Sequence, residues 1–316
     1  MKIGVVFPGQ GSQTVGMGAD IAATYPAAAS LFAEAKTILG YDLLALCTTG
    51  PDEILRETRY SQPAIFVTNV ALFATVADLL RPIVSAGHSF GEYCSLTIAG
   101  ALSFETALAL VNQRGLAMHR AAAMARGAMA AVLGLDARRL QAAVDAAVAE
   151  GVGRVQLANY NQPDQIVISG DEAAVRRAGD VALAAGAKRV VPLNVSGAWH
   201  SALMDPAREE FSRHVADAPV LLPRFAVVSN VDAQAYRDVE HIKHNLERSV
   251  SGEVRWHETA EALVAYGLDL IVEFGASPVL APMMKRVPGA PKAVHAGDAA
   301  GVEKLRSLLG TTAGAT

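Results

Sequence analysis

Short β-branched runs punctuated by glycine alternate along this chain with longer alanine-rich stretches. Lys2–Phe7 is the first such run. It meets Pro8 and a glycine-rich turn, which predicts a buried strand feeding a loop. Helical spacing follows over Pro26–Leu39 and Pro63–Leu80. Pro63 suits the first turn of a helix, where a missing N–H leaves nothing unpaired. Ile83–Ala86 predicts a second short strand, broken by Gly87. Gly91–Ala99 and Ser103–Met124 predict helices, the second with Ser103 as its N-cap.

The texture changes near Met124. Ala128–Leu135, Val155–Tyr160 and Gln165–Gly170 predict short strands, with helices over Arg138–Ala149 and Glu172–Ala185. Closed by Arg189–Leu193, this β-α-β-β-α-β order predicts a small ferredoxin-like unit. The earlier style then returns, with strands at Phe225–Ser229, Leu270–Phe274 and Ala293–Ala296 and a helix at Val279–Arg286. Strands separated by helices form a mostly parallel sheet. The fold class is therefore α/β, with one domain made of residues 1–125 and 191–316 and an inserted subdomain at 126–190.

Composition narrows the classes. The 316 residues are 52% hydrophobic and 18% charged, with only 6% aromatics, and mean hydropathy is +0.27. Roughly a fifth of the chain is alanine, so the apolar score does not imply a large greasy surface. No window holds about 18 uninterrupted apolar residues, which argues against a membrane span. The first residues, MKIGVVFPGQGSQ, are too short an apolar run for a signal peptide. A net charge of −4 gives no basic excess for a phosphate backbone, so no nucleic-acid partner is expected. Two cysteines, Cys47 and Cys94, make neither a disulfide framework nor a Cys-rich metal site, and the expected setting is cytoplasmic. Only the small, polar tail Gly310–Thr316 reads as loose.

The chemistry concentrates in a few positions. Gly87-His88-Ser89-Phe90-Gly91 lies between a strand and a helix, the setting of a nucleophile elbow. A sharp turn there strains the central serine and projects its hydroxyl from the sheet edge, while the helix N-terminus favours developing negative charge. His88 flanks the serine and is expected to point elsewhere. His200 sits in a loop just past a strand, where an α/β fold places functional groups. It is either the base for Ser89 or a hydrogen-bonded loop histidine. His119 falls within a long helix, and His241, His244 and His257 read as surface residues. Arg114 is followed by Gly115 in mid-helix. Such a glycine costs about 1 kcal/mol against alanine and permits a close approach. Arg114 is either a clamp for a substrate carboxylate or a solvated helix arginine. Gly9–Gln13 lacks the continuation of a phosphate-binding loop. It reads as a tight turn, or as amides that form half of an oxyanion hole. No metal-ligand spacing is present.

Seven segments together resemble the malonyl-CoA:acyl carrier protein transacylase family: GQGSQ at 9–13, YSQPA at 60–64, GHSFGEY at 87–93, QRGLAMHRA at 113–121, NYNQPDQIVISG at 159–170, VSGAWHSALM at 195–204 and EFGASPVL at 273–280. The resemblance implies a hydrolase-like α/β core with the ferredoxin-like insertion. It implies acylation of Ser89 by malonyl-CoA with His200 as base, then transfer to the phosphopantetheine thiol of an acyl carrier protein, with no cofactor. It places the oxyanion hole at Gln10 and Phe90, the malonyl carboxylate at Arg114, and Met118, Trp199 and His88 around the acyl group. Asn161 falls in the segment that helps orient the histidine. In related modular enzymes a large aromatic before the histidine goes with malonyl and a small residue with methylmalonyl, so Trp199 implies malonyl. The acidic carrier would dock on local positive charge at Lys188, Arg189, Lys285 and Arg286, which otherwise read as scattered solvated charges.

Two features depart from the family pattern. Where many members carry R-Q-L-x-x-P-V-x-W, this chain reads Arg248–Trp256 with Ser249 for the glutamine and Glu253 for the proline. The expected contact to His200 is then the Ser249 backbone carbonyl. SGAWHS and GHSFGEYC also resemble the free-standing acyltransferases that serve polyketide assembly lines in trans. The alternative function is an acyl hydrolase acting on carrier-protein thioesters, and a third is a docking module without catalysis.

Overall fold

The structure is a computed structural model and describes residues 1–313. Its first sheet has the order β7-β2-β1-β8-β9, built from β1 (Ile3–Phe7), β2 (Pro82–Gly87), β7 (Ala226–Val228), β8 (Leu270–Phe274) and β9 (Lys292–Ala296). All four pairings are parallel. Strands buried on both faces read as continuous apolar runs, and β1 and β8 are buried at every position. Val5 and Phe7 join a core on one face, while Val6 turns to a second core with Val84, Ile271 and Trp256. The chain leaves β1 for β2 on one side and returns to β8 on the other, so the carboxyl ends of these strands form the crevice where ligands bind in such sheets.

The second sheet, in the order β4-β5-β3-β6, is antiparallel throughout: β3 (Gly127–Leu133), β4 (Val155–Gln162), β5 (Gln165–Asp171) and β6 (Arg189–Pro192). Together with helices Ala137–Ala149 and Glu172–Ala184, this is the ferredoxin-like order, with a separate apolar core.

The first sheet is covered by the remaining helices. Four differences from the sequence reading have physical causes. Helices Ala19–Thr24, Leu43–Thr49 and Asp52–Arg56 are too short to show periodicity in sequence. The helix read at Pro63–Leu80 runs from Thr58 to Ala74 and is buried at Thr58 and from Ser61 to Leu72. Its opening TRYSQ lies before Pro63, and two of those side chains, Thr58 and Gln62, hold site residues, as described below. His241 is buried, bonded to Asp232 at 2.7 Å, rather than a surface residue. Of the tail read as loose, Gly310–Ala313 close the helix Ala299–Ala313, and residues 314–316 lie outside the described residues. No helix among the described residues is long and apolar enough to cross a membrane.

Candidate active site

The elbow forms because its glycines leave no alternative. A Cβ at Gly87 would collide with the Gly91 and Glu92 backbone, and one at Gly91 with the Phe7 carbonyl. Between them Ser89 takes φ 53°, and His200 takes φ 57°. Each left-handed residue costs about 1–2 kcal/mol for an L-amino acid, so surrounding contacts must impose both conformations.

They bring Ser89 Oγ to 2.8 Å from His200 Nε2. His200 Nδ1 lies 2.9 Å from the Gly252 carbonyl. A carbonyl only accepts, so Nδ1 carries the proton and Nε2 is left bare to accept from the Ser89 hydroxyl. Burial lowers the His200 pKa to about 3, and the Arg114 charge adds to this effect; the Gly252 bond opposes it. The ring is therefore neutral near pH 7. The orienting contact expected from Ser249 is made by Gly252 instead. The Ser249 backbone is a lesser influence on the ring, and its carbonyl lies 3.4 Å from Arg114 Nη2. The Ser249 side chain turns back to Leu246 O. The segment carrying Gly252 is braced by the second sheet, since Val254 exchanges backbone bonds with Ala158 and Tyr160.

Arg114 is 1% exposed and lies on the helix Phe104–Met124. Gly115 allows that helix to approach Thr58, whose carbonyl a Cβ would meet at 2.9 Å. The guanidinium bonds Gln62 Oε1 at 2.8 Å and reaches Ser89 Oγ at 3.4 Å, while Nε has no partner. No carboxylate makes an ion pair with it among the described residues. A buried charge without a counter-ion is costly and favours any anion that reaches it. Burial accordingly lowers its pKa.

A cavity of about 180 Å³ opens on the Ser89–His200 pair. Gln10, Phe90, Met118, Trp199, His88 and Asn161 all line it. Neither the Gln10 nor the Phe90 backbone N–H donates to a protein acceptor among the described residues. The Gln10 side chain is held by Thr58 Oγ1 at 2.7 Å, and Met118 Sδ accepts from Gln62 Nε2 at 3.3 Å. Those are the contacts that explain the polar start of the Thr58–Ala74 helix. His88 faces the cavity rather than away from it, because Asn161 Oδ1 binds its Nε2 at 2.8 Å. The Asn161 side chain is thus engaged by His88. Burial lowers the His88 pKa.

Lys188, Arg189, Lys285 and Arg286 are exposed. Lys188 lays its stem over Gly134. Arg286 is already engaged: it pairs with Asp164 at 2.6 Å and bonds Gln162, tying the end of the helix Leu280–Met284 to the turn after β4. Sequence reasoning missed Asn230, Glu92, Gln62 and Gly252. For Asn230 the available signal was a polar residue just past the strand end, the same signal that pointed to His200.

A strained serine bonded to a histidine, beside open amides and a buried cation, is an arrangement with the parts that nucleophilic acyl transfer requires. The chain belongs to the acyl transferase domain family, whose model matches residues 5–301. It is 40% identical over 312 residues to the malonyl CoA-acyl carrier protein transacylase of Haemophilus influenzae, covering 98% of this chain and 99% of that one. It is 43% identical over 284 residues to the protein of the same description from Escherichia coli K12, covering 89% and 91%. Among solved structures it matches a malonyl-transacylase in complex with its type II polyketide synthase acyl-carrier protein, with TM-score 0.92 and 40% identity, covering 96% and 98%.

Proposed function

We propose that this chain is a malonyl-CoA:acyl carrier protein S-malonyltransferase of fatty acid or polyketide synthesis, working through a malonyl ester on Ser89. His200 Nε2 takes the Ser89 proton as Oγ attacks the thioester carbonyl. The Gln10 and Phe90 amides receive the oxyanion, each such donor being worth about 3 kcal/mol. Collapse expels the CoA thiolate, which takes the proton from His200. The carrier thiol then gives its proton to His200 and attacks the ester, and Ser89 is released with its proton restored. Side chains and the two thiols carry every proton and electron pair, so the cycle asks for no cofactor. Gly252 supports the imidazolium as a carbonyl acceptor, without a carboxylate.

The observation that carries this reading is Arg114, a buried cation 3.4 Å from the nucleophile that makes no ion pair with a carboxylate among the described residues. A malonyl group brings the missing carboxylate to it and fixes the thioester for attack. The catalytic parts come from residues 1–125 and 191–316, and the insertion at 126–190 closes the cleft, with strand Arg189–Pro192 straddling that boundary. Cys47 and Cys94 are free buried thiols, in keeping with a cytoplasmic setting.

Mass spectrometry after mixing with malonyl-CoA tests the proposal. A malonyl adduct on Ser89 that persists until holo-carrier protein is added is expected. Release of free malonate without carrier protein would favour the acyl hydrolase instead.

A further inference from the structure

Behind the elbow lies a buried polar cluster that takes no part in the chemistry above. Asn230, 1% exposed, follows β7 and does not line the cavity. Its Oδ1 accepts from the Ser89 backbone N–H at 2.9 Å. Its Nδ2 donates to the Gly87 carbonyl at 2.5 Å and to Glu92 Oε2 at 3.2 Å. Glu92 Oε2 also accepts the Asn230 backbone N–H at 2.8 Å, and Oε1 accepts from Tyr236 OH. The amide has one workable orientation. Turned over, its oxygen would face the Gly87 carbonyl and Glu92, and its NH₂ would face the Ser89 N–H.

We propose that Asn230 is a positioning residue for the nucleophile: its amide clamps both sides of the strained elbow, and Glu92 fixes that amide. The inference rests on Ser89 being the acylated residue. Ser89 N–H cannot serve a regular helix at φ 53°, and Asn230 Oδ1 is the acceptor it finds. The Gly87 carbonyl, two residues earlier, is held by the same side chain, so strand end and nucleophile move together. The turn bearing Asn230 is itself braced, since Asn245 Nδ2 donates to Ser229 Oγ at 3.1 Å and to Asp232 Oδ2 at 3.2 Å.

Glu92 faces Tyr93 on its own helix, Arg114 from the helix Phe104–Met124, and Asp232 and Tyr236 from the segment after β7. His241 packs its ring on Tyr236. Burial raises the Glu92 pKa to about 7. An aspartate placed at position 230 beside this carboxyl would therefore share a proton with it. Protonated, it would still accept from Ser89 and donate to Gly87.

The test is rapid-quench acylation of the full chain by malonyl-CoA, read by mass for both rate constant and final stoichiometry, with KM for malonyl-CoA. Asn230→Ala is expected to lower the rate constant by up to about 100-fold. KM and the final fraction of acylated Ser89 should stay at wild-type values. Asn230→Asp is expected to be faster than Asn230→Ala at pH 6 and to decline against wild type as pH rises to 9. Three outcomes would overturn the assignment: an unchanged rate constant in Asn230→Ala, a loss of stoichiometry at an unchanged rate constant, or an Asn230→Asp protein no faster than Asn230→Ala at any pH. A wild-type chain that forms no adduct would instead overturn the acyl-enzyme reading itself.

Discussion

The Arg114 charge acts on His200 through the space between them. Burial is the larger cause of the depressed His200 pKa and the Arg114 charge the second, so a bound carboxylate relaxes the second cause and makes the imidazole a stronger base in the complex. The same depression links to stability. An unfolded histidine titrates near 6.5, whereas His200 in the fold stays neutral down to about pH 3. The unfolded chain therefore takes up the proton first as pH falls. The stabilising contribution is complete above about pH 6.5 and is lost progressively below it. His88 acts in the same direction. Thermal unfolding followed from pH 8 to pH 4 should show a falling Tm, with a shallower acid slope in His200→Gln. An identical slope in the variant would show that other groups set the acid sensitivity.

At the scale of elements, the loop between β6 and His200 lines the cavity beside Ser89. A Cβ at Gly197 would strike the Trp199 indole at 2.6 Å and Ala122 at 2.9 Å, so the glycine makes room for the folded-back ring. Trp199→Ser should move the malonyl/methylmalonyl kcat/KM ratio toward methylmalonyl, within the range of about 10–200-fold that one methyl group commands. An unchanged ratio would remove Trp199 from substrate choice. Elements like this one also show what sequence can reveal. The elbow was legible because two glycines flank a serine between a strand and a helix. The glycine after Arg114 singled the residue out but left it open between a clamp and a solvated arginine, and only the family resemblance favoured the clamp. The Thr58–Ala74 helix was misplaced because burial of every position from Ser61 to Leu72 erases amphipathic periodicity, and its polar Thr58 and Gln62 serve the site rather than solvent. Gly252 was not legible, since it acts through a carbonyl that any residue possesses. The resemblance implied only that the Asn161 segment orients the histidine through a backbone carbonyl; that its side chain meets His88 was not legible, because chain order does not reveal which imidazole a β4 side chain meets.

In the whole molecule, the second sheet is tied across the cleft, among the described residues, by the Val254 backbone bridge to β4, by the Asn161–His88 and Gln156–Ala202 hydrogen bonds, and by Arg286 on Gln162 and Asp164. Lys188 and Arg189 lie at the outer strand of the second sheet, where exposed charge also guards an edge against pairing. We propose that with Lys285 they receive the acidic carrier protein, Arg286 being largely committed to Asp164. Reversing both Lys188 and Arg189 to glutamate should raise KM for carrier protein several-fold and leave acylation by malonyl-CoA intact. Loss of both activities would mean a damaged fold, and no change would place docking elsewhere.

The central claim is that an unpaired buried guanidinium beside Ser89 selects a carboxylated acyl group. Single-turnover acylation of Ser89 by malonyl-CoA and by acetyl-CoA, in the wild-type chain and in Arg114→Ala, tests it most directly. An unpaired partner of a buried charge pair costs about 2–5 kcal/mol. The wild type should therefore prefer malonyl by at least about 30-fold, and Arg114→Ala should lose most of that preference while still accepting acetyl. A malonyl preference that survives unchanged in Arg114→Ala would contradict the account.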